Sequence, residues 1–233
     1  MGDSLKDQRV FITQAKDFMG PVLCRCFQDH GARVIADESD PSDVSTFATS
    51  IRAAVEHEPI DVVIANLAVP SPITRAHQVD DAEWRSVFGA LVDPLPRIAR
   101  GFLPGMIERK RGKLLVMGSA TALRGQRNVS SYAAARGAQL SWVRAVGVEM
   151  ALHQIHVNLI AQNFVENPTY YPPEVQALPA FQERLKREVP LGRLASPEED
   201  ALFAVFLASR EVNFFAGQAF PFAGGWILRP TDL

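Results

Sequence analysis

A tyrosine and an arginine stand four residues apart in the alanine-rich segment SSYAAARG, residues 130–137. Residues at that spacing share one face of a helix, so Tyr132 would lie beside Arg136. A free tyrosine has a pKa of about 10, and a fixed positive charge beside the phenol favours the phenolate and lowers that pKa. Because an arginine stays protonated in proteins, it can serve as a permanent electrostatic partner. The pair is compatible with a tyrosine that acts as a general base.

A serine thirteen residues before the tyrosine adds a second hydroxyl to the candidate site. Ser119 ends the apolar segment KLLVMGS, residues 113–119, which is typical of a buried strand. Its hydroxyl could hold a substrate oxygen within reach of Tyr132, and the assembly would then be a general base aimed at an alcohol. A Tyr-x-x-x-Arg pair on its own is more typical of a packed aromatic beside a surface charge. The serine at the end of a strand favours the catalytic interpretation.

Short apolar segments alternate with longer helical segments along the chain. The predicted strands are residues 9–13, 32–36, 61–66, 113–119, 155–161 and 218–225. The predicted helices are residues 19–30, 41–57, 80–108, which is interrupted or bent near Pro94 and Pro96, 129–152, 180–188 and 196–209, which opens with a capping box. Continuously apolar strands between helices predict a parallel sheet covered on both faces and doubly wound. We therefore expect an α/β fold in which residues 1–233 form a single Rossmann-like domain, with ligands at the carboxyl ends of the strands.

The turn after the first predicted strand, TQAKDFMG at residues 13–20, lacks the features of a dinucleotide site. A turn that cradles a pyrophosphate needs glycines, because its backbone must bend tightly and approach the phosphates closely. Only Gly20 remains, and Gln14 and Phe18 would place bulk where a cofactor would lie. The turn is either a dinucleotide loop of a different kind or a site that has lost its cofactor and filled the space with side chains. The second interpretation is favoured.

Several motifs resemble those of the short-chain dehydrogenase/reductase superfamily, which implies a Rossmann-like, mainly seven-stranded parallel sheet. The motifs that carry the resemblance are Asn66 in VVIAN, Gly118-Ser119, Tyr132 and AGGW at residues 223–226. Members of that superfamily carry Tyr-x-x-x-Lys, in which the lysine also contacts the nicotinamide ribose, and a T-G-x-x-x-G-x-G turn.

The chain departs from that superfamily at three places. Arg136 replaces the lysine, TQAKDFMG replaces the glycine turn, and Leu91 stands where an ungapped comparison puts the catalytic asparagine. These departures resemble the pattern of the halohydrin dehalogenases (haloalcohol dehalogenases), which have this fold and use no NAD(P). The segment AQNFVENPTYYPPE, residues 161–174, is similar to that family, whereas residues 189–209 are similar to the superfamily as a whole.

The resemblance implies that Ser119, Tyr132 and Arg136 form a catalytic triad. Ser119 would bind the substrate hydroxyl, Tyr132 as a phenolate would remove its proton, and Arg136 would lower the pKa of Tyr132. The resulting alkoxide would displace a halide from the adjacent carbon and close an epoxide. In reverse, a halide or another small anion (azide, cyanide, nitrite) would open an epoxide.

The resemblance also implies a halide pocket in the space that a nicotinamide would otherwise occupy. Its expected members are Phe18, Gln162, Asn163, Phe164, Val165 and Tyr171. The expected substrate pocket consists of Phe88, Leu123, Trp142 and Tyr170. Phe88, Leu123 and Trp142 are also compatible with ordinary core or interface positions, because an apolar side chain alone does not distinguish these environments.

Composition and cysteine use limit the partners and the compartment. A net charge of −2 gives no electrostatic reason to expect binding to nucleic acid or to an anionic membrane. The polar segment MGDSLKDQ, residues 1–8, lacks the apolar core of a signal peptide. Cys24 and Cys26 lie two residues apart and would point in different directions on a helix, which argues against a disulfide. We therefore expect a cytoplasmic protein. The histidines show no metal-binding spacing, so no metal is expected. The first turn and the resemblance to halohydrin dehalogenases imply that no cofactor is bound either.

The sequence also leads to an expected oligomeric state and to two alternative functions. The resemblance implies a homotetramer that assembles through the long helices at residues 91–109 and 129–152. The first alternative function is an NAD(P)-dependent short-chain oxidoreductase with an atypical arginine. The second is a non-catalytic binding protein of the same fold.

Overall fold

A computed structural model describes residues 4–228, and within them six strands alternate with eight α-helices. The strands are β1 (Arg9–Ile12), β2 (Arg33–Ala36), β3 (Val62–Ala65), β4 (Gly112–Ser119), β5 (Ile155–Gln162) and β6 (Ala219–Phe222). The helices are α1 (Gly20–Asp29), α2 (Val44–Val55), α3 (Asp81–Leu91), α4 (Pro94–Arg109), α5 (Ser130–Ala151), α6 (Pro173–Gln176), α7 (Pro179–Glu188) and α8 (Pro197–Ala208). The first three residues of the polar N-terminal segment lie outside the described residues.

The six strands form one parallel sheet in the order β2-β1-β3-β4-β5-β6. The order reverses direction next to β1, which makes the sheet doubly wound and confirms the Rossmann-like α/β fold. Among the described residues the sheet has six strands rather than the seven implied by the family resemblance. The chain between β5 and β6 forms helices α6–α8 and contains an isolated bridge between Val165 and Ala195.

Apolar strands and explicit caps account for these elements. Every residue of β3 and β4 is buried, as expected for strands covered by helices on both faces. Helix α8 begins with the predicted capping box. The Ser196 hydroxyl accepts a hydrogen bond from the Glu199 backbone N–H, and the Glu199 carboxylate accepts one from the Ser196 backbone N–H. The helix predicted over residues 80–108 is two helices, because Pro94 has no N–H to continue α3 and instead opens α4.

Two apolar cores lie on opposite faces of the sheet. The larger includes side chains of α2, α3, α4 and α5, and the smaller includes side chains of α1 and α8. Helix α5 packs very closely on the edge of the sheet at Gly147, where an added Cβ would lie 2.3 Å from the backbone nitrogen of Gly217. Because helices in this fold run antiparallel to the strands, the first turns of α5 lie at the carboxyl edge beside the end of β4.

Some features of the described residues bear on compartment and ligands. No helix among residues 4–228 is long and apolar enough to cross a membrane. Cys24 and Cys26 are both free thiols on α1. Within the same residues, no group of three or more His, Cys, Asp or Glu side chains is placed to hold a metal ion.

Candidate active site

Ser119, Tyr132 and Arg136 lie in the wall of one cavity of about 270 Å³. Ser119 is the last residue of β4, and Tyr132 and Arg136 belong to the first two turns of α5. All three side chains are largely buried. The elements predicted from sequence therefore bring the three candidate catalytic residues to the carboxyl edge of the sheet.

The hydroxyl of Ser119 is positioned by Thr121. The Thr121 hydroxyl donates to Ser119 Oγ at 2.9 Å, and the Thr121 backbone N–H lies 3.3 Å from the same oxygen. Because both groups use Ser119 as an acceptor, its own proton remains available for an oxygen in the cavity. Thr121 itself lines the cavity and was not among the predicted site residues.

The guanidinium of Arg136 lies over the ring of Tyr132, with its Cζ 4.9 Å from the ring centroid. Arg136 is only 3% exposed, and no acidic side chain pairs with it among the described residues. Its Nη1 instead donates to the backbone carbonyls of Leu67 at 3.0 Å and Met117 at 3.1 Å. Neutral acceptors hold the cation in place without cancelling its charge, so its field acts on the phenol.

A glutamine connects this arginine to the end of α3. Arg136 Nη1 donates to Gln139 Oε1 at 2.9 Å, and Gln139 Nε2 donates to the carbonyl of Leu91 at 2.7 Å. The Leu91 side chain, at the position expected for a catalytic asparagine, is fully buried in the apolar core. This position therefore contributes a backbone carbonyl to the positioning of Arg136, and its side chain does not line the cavity.

The other two tyrosines of the chain also line the cavity. The Tyr170 hydroxyl donates to the carbonyl of Val69 at 2.5 Å, and its ring lies 5.9 Å from that of Phe18. Burial raises the pKa of Tyr170, and nearby Tyr132 raises it further. Burial likewise raises the pKa of Tyr171 to about 12. Both therefore stay protonated at neutral pH and can donate hydrogen bonds but cannot act as bases.

The turn between β1 and α1 has a glycine-like backbone that carries two large side chains. Gln14 and Phe18 have φ values of 45° and 51°, in the left-handed region that favours glycine. The Gln14 side chain accepts from the Ala68 N–H at 2.7 Å and donates to the Ala68 carbonyl at 3.2 Å. Gly20 is required by close approach, since an added Cβ would lie 2.2 Å from the Gln14 carbonyl oxygen. Phe18 lines the cavity, so its ring occupies the mouth of the turn.

These residues do not fit a nicotinamide dinucleotide. The pyrophosphate in this fold lies against a glycine turn at the start of the first helix, where this chain places Gln14 and Phe18. The carboxylate after β2 that would meet the ribose is Asp37, which is only 4% exposed. Its Oδ1 accepts from Ser39 and from Ser50 at 2.6 Å, so it is engaged with α2 instead.

The cavity brings together all six residues predicted for the halide pocket: Phe18, Gln162, Asn163, Phe164, Val165 and Tyr171. The rings of Phe164 and Tyr171 stack with centroids 5.9 Å apart. Asn163 Oδ1 accepts from the Phe164 N–H at 2.9 Å and from the Tyr171 hydroxyl at 3.3 Å. Among the described residues the Asn163 amide nitrogen has no partner, so its N–H groups are available to a ligand. Aromatic edges beside free N–H donors can accept a weakly hydrated anion.

Three of the four residues predicted for the substrate pocket are placed elsewhere. Tyr170 lines the cavity, but Phe88, Leu123 and Trp142 do not; they pack against the larger apolar core. Phe88 also stacks on Trp84 at 4.7 Å. The prediction is therefore corrected at these three positions, because hydrophobicity along a helix does not distinguish a pocket wall from the core.

Comparisons with known proteins place the fold and the site in context. A family model described as Enoyl-(Acyl carrier protein) reductase, a short-chain dehydrogenase/reductase family, matches residues 7–227. A cis-4-hydroxycyclohexanecarboxylate dehydrogenase of Sinomonas cyclohexanicum is 31% identical over 206 residues, covering 88% of this chain and 81% of its own.

Two solved structures extend the comparison. One described as a dehalogenation enzyme is 29% identical, with a TM-score of 0.87 over 95% of this chain and 98% of its own. A gluconate 5-dehydrogenase from Burkholderia cenocepacia J2315, solved with NADP and tartrate, is 20% identical with a TM-score of 0.85, covering 98% of this chain and 99% of its own. The second likeness concerns the fold alone.

Proposed function

The chain belongs to the short-chain dehydrogenase/reductase superfamily, and within it we propose that the protein is a halohydrin dehalogenase, a cofactor-independent lyase. It converts vicinal haloalcohols to epoxides with release of a halide and a proton, and opens epoxides with a halide, azide, cyanide or nitrite. One observation carries the proposal. The Ser119, Tyr132 and Arg136 side chains line a cavity beside a first turn that carries Gln14 and Phe18 in place of glycines. The likeness to a structure described as a dehalogenation enzyme supports the same conclusion.

Tyr132 is the base of the proposed reaction. Of the three tyrosines at the cavity, Tyr170 and Tyr171 are held as phenols by burial. Tyr132 is the one whose ring lies beneath the guanidinium of Arg136. Arg136 cannot itself give up a proton, so it acts through its charge. We therefore assign the role of base to Tyr132 and an electrostatic role to Arg136.

The proposed reaction is an internal displacement. Ser119 donates a hydrogen bond to the substrate hydroxyl oxygen, and Tyr132 accepts the proton as the O–H bond breaks. The oxygen then forms a bond to the adjacent carbon, while the carbon–halogen bond breaks and its electron pair leaves with the halide. The oxygen and the leaving halide must lie on opposite sides of that carbon, so fixing their orientation is a main contribution of the cavity.

The halide leaves toward the end of the cavity formed by Asn163, Phe164, Tyr171 and Phe18. The free amide N–H groups of Asn163 and the positive edges of the aromatic rings stabilise a large, weakly hydrated anion there. The same contacts would bind the nucleophile in the epoxide-opening direction. We thus assign two neighbouring parts of one cavity to the oxygen and to the anion.

An NAD(P)-dependent oxidoreductase is the second candidate, because curated relatives of this chain carry dehydrogenase names. The first turn and Asp37 argue against this candidate, because neither fits a nicotinamide dinucleotide. The two candidates differ in whether nucleotide stabilises the folded protein. Thermal unfolding with and without NADH and NADPH tests this directly: no rise in Tm supports the dehalogenase, and a concentration-dependent rise contradicts it.

A halide-release assay with several bromo- and chloro-alcohols tests the proposed activity itself. Each turnover releases one proton and one halide, so a pH indicator and a halide electrode should report equal amounts. If neither signal rises above that of a buffer blank with any of the substrates, the protein is not a halohydrin dehalogenase. The non-catalytic binding protein of the same fold would then be the better account.

We place the active protein in the cytoplasm as a homotetramer of single domains, residues 1–233. The free thiols of Cys24 and Cys26 are consistent with a reducing compartment. We propose that the protein assembles through the helices at residues 91–109 and 129–152, the second of which carries the exposed side chain of Val148. Light scattering coupled to size-exclusion chromatography should give four times the mass of the chain; a monomer would contradict the tetramer.

A further inference from the structure

Two of the residues that line the active-site cavity are charged, and both are arginines. They are Arg136 on α5 and Arg184 on α7; no acidic side chain is found in the lining formed by residues 4–228. A cavity with positive groups and no carboxylate attracts anions and repels cations. Arg136 belongs to the proposed catalytic triad. Arg184 has no part in the proton transfer or in the displacement described above.

The two arginines differ in how their donors are used. Nη1 of Arg136 donates to two backbone carbonyls and to Gln139. Arg184 uses its Nε for Glu188 at 3.2 Å, and its two terminal amino groups have no partner among the described residues. About 40% of the Arg184 side chain is exposed, so these donors are accessible. Arg184 can therefore bind a ligand without breaking an existing contact.

Arg184 lies at the end of the cavity assigned to the anion. Its Cζ is 5.6 Å from the centroid of the Phe164 ring, and Phe164 stacks on Tyr171. The positive charge of Arg184 also lowers the pKa of Tyr171, although burial has the larger and opposite effect. The guanidinium thus acts electrostatically on the aromatic end of the cavity.

Glu188 does not fully neutralise the charge of Arg184. Glu188 lies 3.2 Å from Arg184, but it also lies 3.3 Å from Arg187. One carboxylate therefore serves two guanidinium groups, and this group of three side chains keeps a net positive charge. Arg187 does not line the cavity, so the excess charge reaches the interior through Arg184.

We propose that Arg184 is the cationic member of the anion subsite, where it binds halide, azide, cyanide or nitrite through charge and its free N–H donors. This inference rests on the proposed function for the class of its ligand. It makes Arg184 a determinant of affinity for the halide product and for the anionic nucleophile. The oxygen end of the cavity, around Ser119 and Tyr132, should be affected little.

The test compares two arginines of α7 that share one carboxylate. Arg184→Gln and Arg187→Gln each remove one positive charge beside Glu188, and only the first alters the cavity lining. The dissociation constant for bromide is measured by line broadening of the bromide NMR signal, at constant ionic strength set with sodium gluconate. Circular dichroism checks the fold of each variant, and Arg184→Lys provides a second variant that keeps the charge.

We expect Arg184→Gln to raise the bromide dissociation constant about tenfold, as is typical for loss of a charge-assisted contact at a partly exposed site. Arg187→Gln should change it by about twofold at most, and Arg184→Lys should retain most of the affinity. Glu188→Gln should lower the constant, because the carboxylate no longer competes for Arg184. Equal effects of Arg184→Gln and Arg187→Gln would overturn the inference.

Failure of this inference is distinguishable from failure of the proposed function. If the wild-type protein releases halide from haloalcohols and the two glutamine variants bind bromide equally, the function stands and the role of Arg184 is wrong. If the wild-type protein releases no halide but Arg184→Gln alone weakens bromide binding, the anion subsite stands and the dehalogenase proposal is wrong.

Discussion

Asp200, in the first turns of α8, is fully buried, and neither carboxylate oxygen has a hydrogen-bond partner among the described residues. Burial raises the pKa of Asp200 to about 7, from an ordinary value of 3.8. An isolated carboxylate that is removed from water favours its neutral form, because the charged form loses its hydration. The folded protein therefore keeps a proton on Asp200 that the unfolded chain loses near pH 4.

The sign of the pH effect follows from this difference. Below about pH 4, Asp200 is protonated in both the folded and the unfolded protein, so its burial lowers the free energy of unfolding only slightly. Between about pH 4 and 7 the unfolded chain releases the proton while the folded protein keeps it, so stability falls as pH rises. At about 1.4 kcal/mol per pKa unit, a shift of about three units corresponds to a full penalty of about 4 kcal/mol above pH 7. The positive end of the α8 dipole reduces the penalty by about 1 kcal/mol.

The variant Asp200→Asn tests this directly, since it keeps the shape of the side chain and removes its ionisation. We expect the stability difference between variant and wild type to change by about 3–4 kcal/mol in favour of the variant between pH 4 and pH 8. Urea denaturation followed by circular dichroism at each pH gives the free energies of unfolding. Glu198→Gln, an exposed neighbour on the same helix, is the matched control and should not reproduce the trend. A difference between Asp200→Asn and wild type that stays constant with pH would refute the reasoning.

Three further predictions concern the site and its support. Tyr132→Phe should lower halide release at least a hundredfold, as is typical for loss of a general base, with an unchanged circular dichroism spectrum; substantial residual activity would mean that the base is elsewhere. Thr121→Val should lower kcat/KM several-fold in steady-state kinetics, because Ser119 loses the hydroxyl that orients it; wild-type kinetics would show that Thr121 does not position Ser119. Lys113→Met should lower the free energy of unfolding by about 2–3 kcal/mol in urea, because Lys113 Nζ donates to three carbonyls near the end of α8, those of Leu207, Ser209 and Val212. An unchanged urea midpoint would contradict that role.

Most of the fold was predictable because it depends on local patterns. Strands such as β3 and β4 are continuously apolar, and the Ser196–Glu199 capping box predicts where α8 begins. The placement of Ser119 at the end of β4 also followed from the sequence, because that strand ends where the apolar run ends. Pro94 and Pro96 predicted an interruption or a bend but not which of the two, since the effect of Pro94 depends on whether the chain can start a new helix there.

The remaining parts of the site depend on contacts between distant segments. Arg184 reaches the cavity from α7, and no spacing in the sequence relates it to Tyr132. Phe88 and Trp142 have the apolar character of pocket residues but pack against the core, and only the packing of α3 and α5 distinguishes the two environments. The burial of Asp200 could not be predicted from the sequence either, because an acidic residue near the start of a helix is ordinarily exposed.

We propose that Tyr132 and its partners perform halide elimination without a nicotinamide cofactor. The most direct measurement is halide and epoxide formation from a vicinal bromoalcohol by protein freed of nucleotide, with Tyr132→Phe in parallel. We predict equal amounts of bromide and epoxide from the wild-type protein, no dependence on added NAD(P) or NAD(P)H, and loss of both products in the variant. No bromide release by the wild-type protein, or release that requires a nicotinamide nucleotide, would contradict the claim.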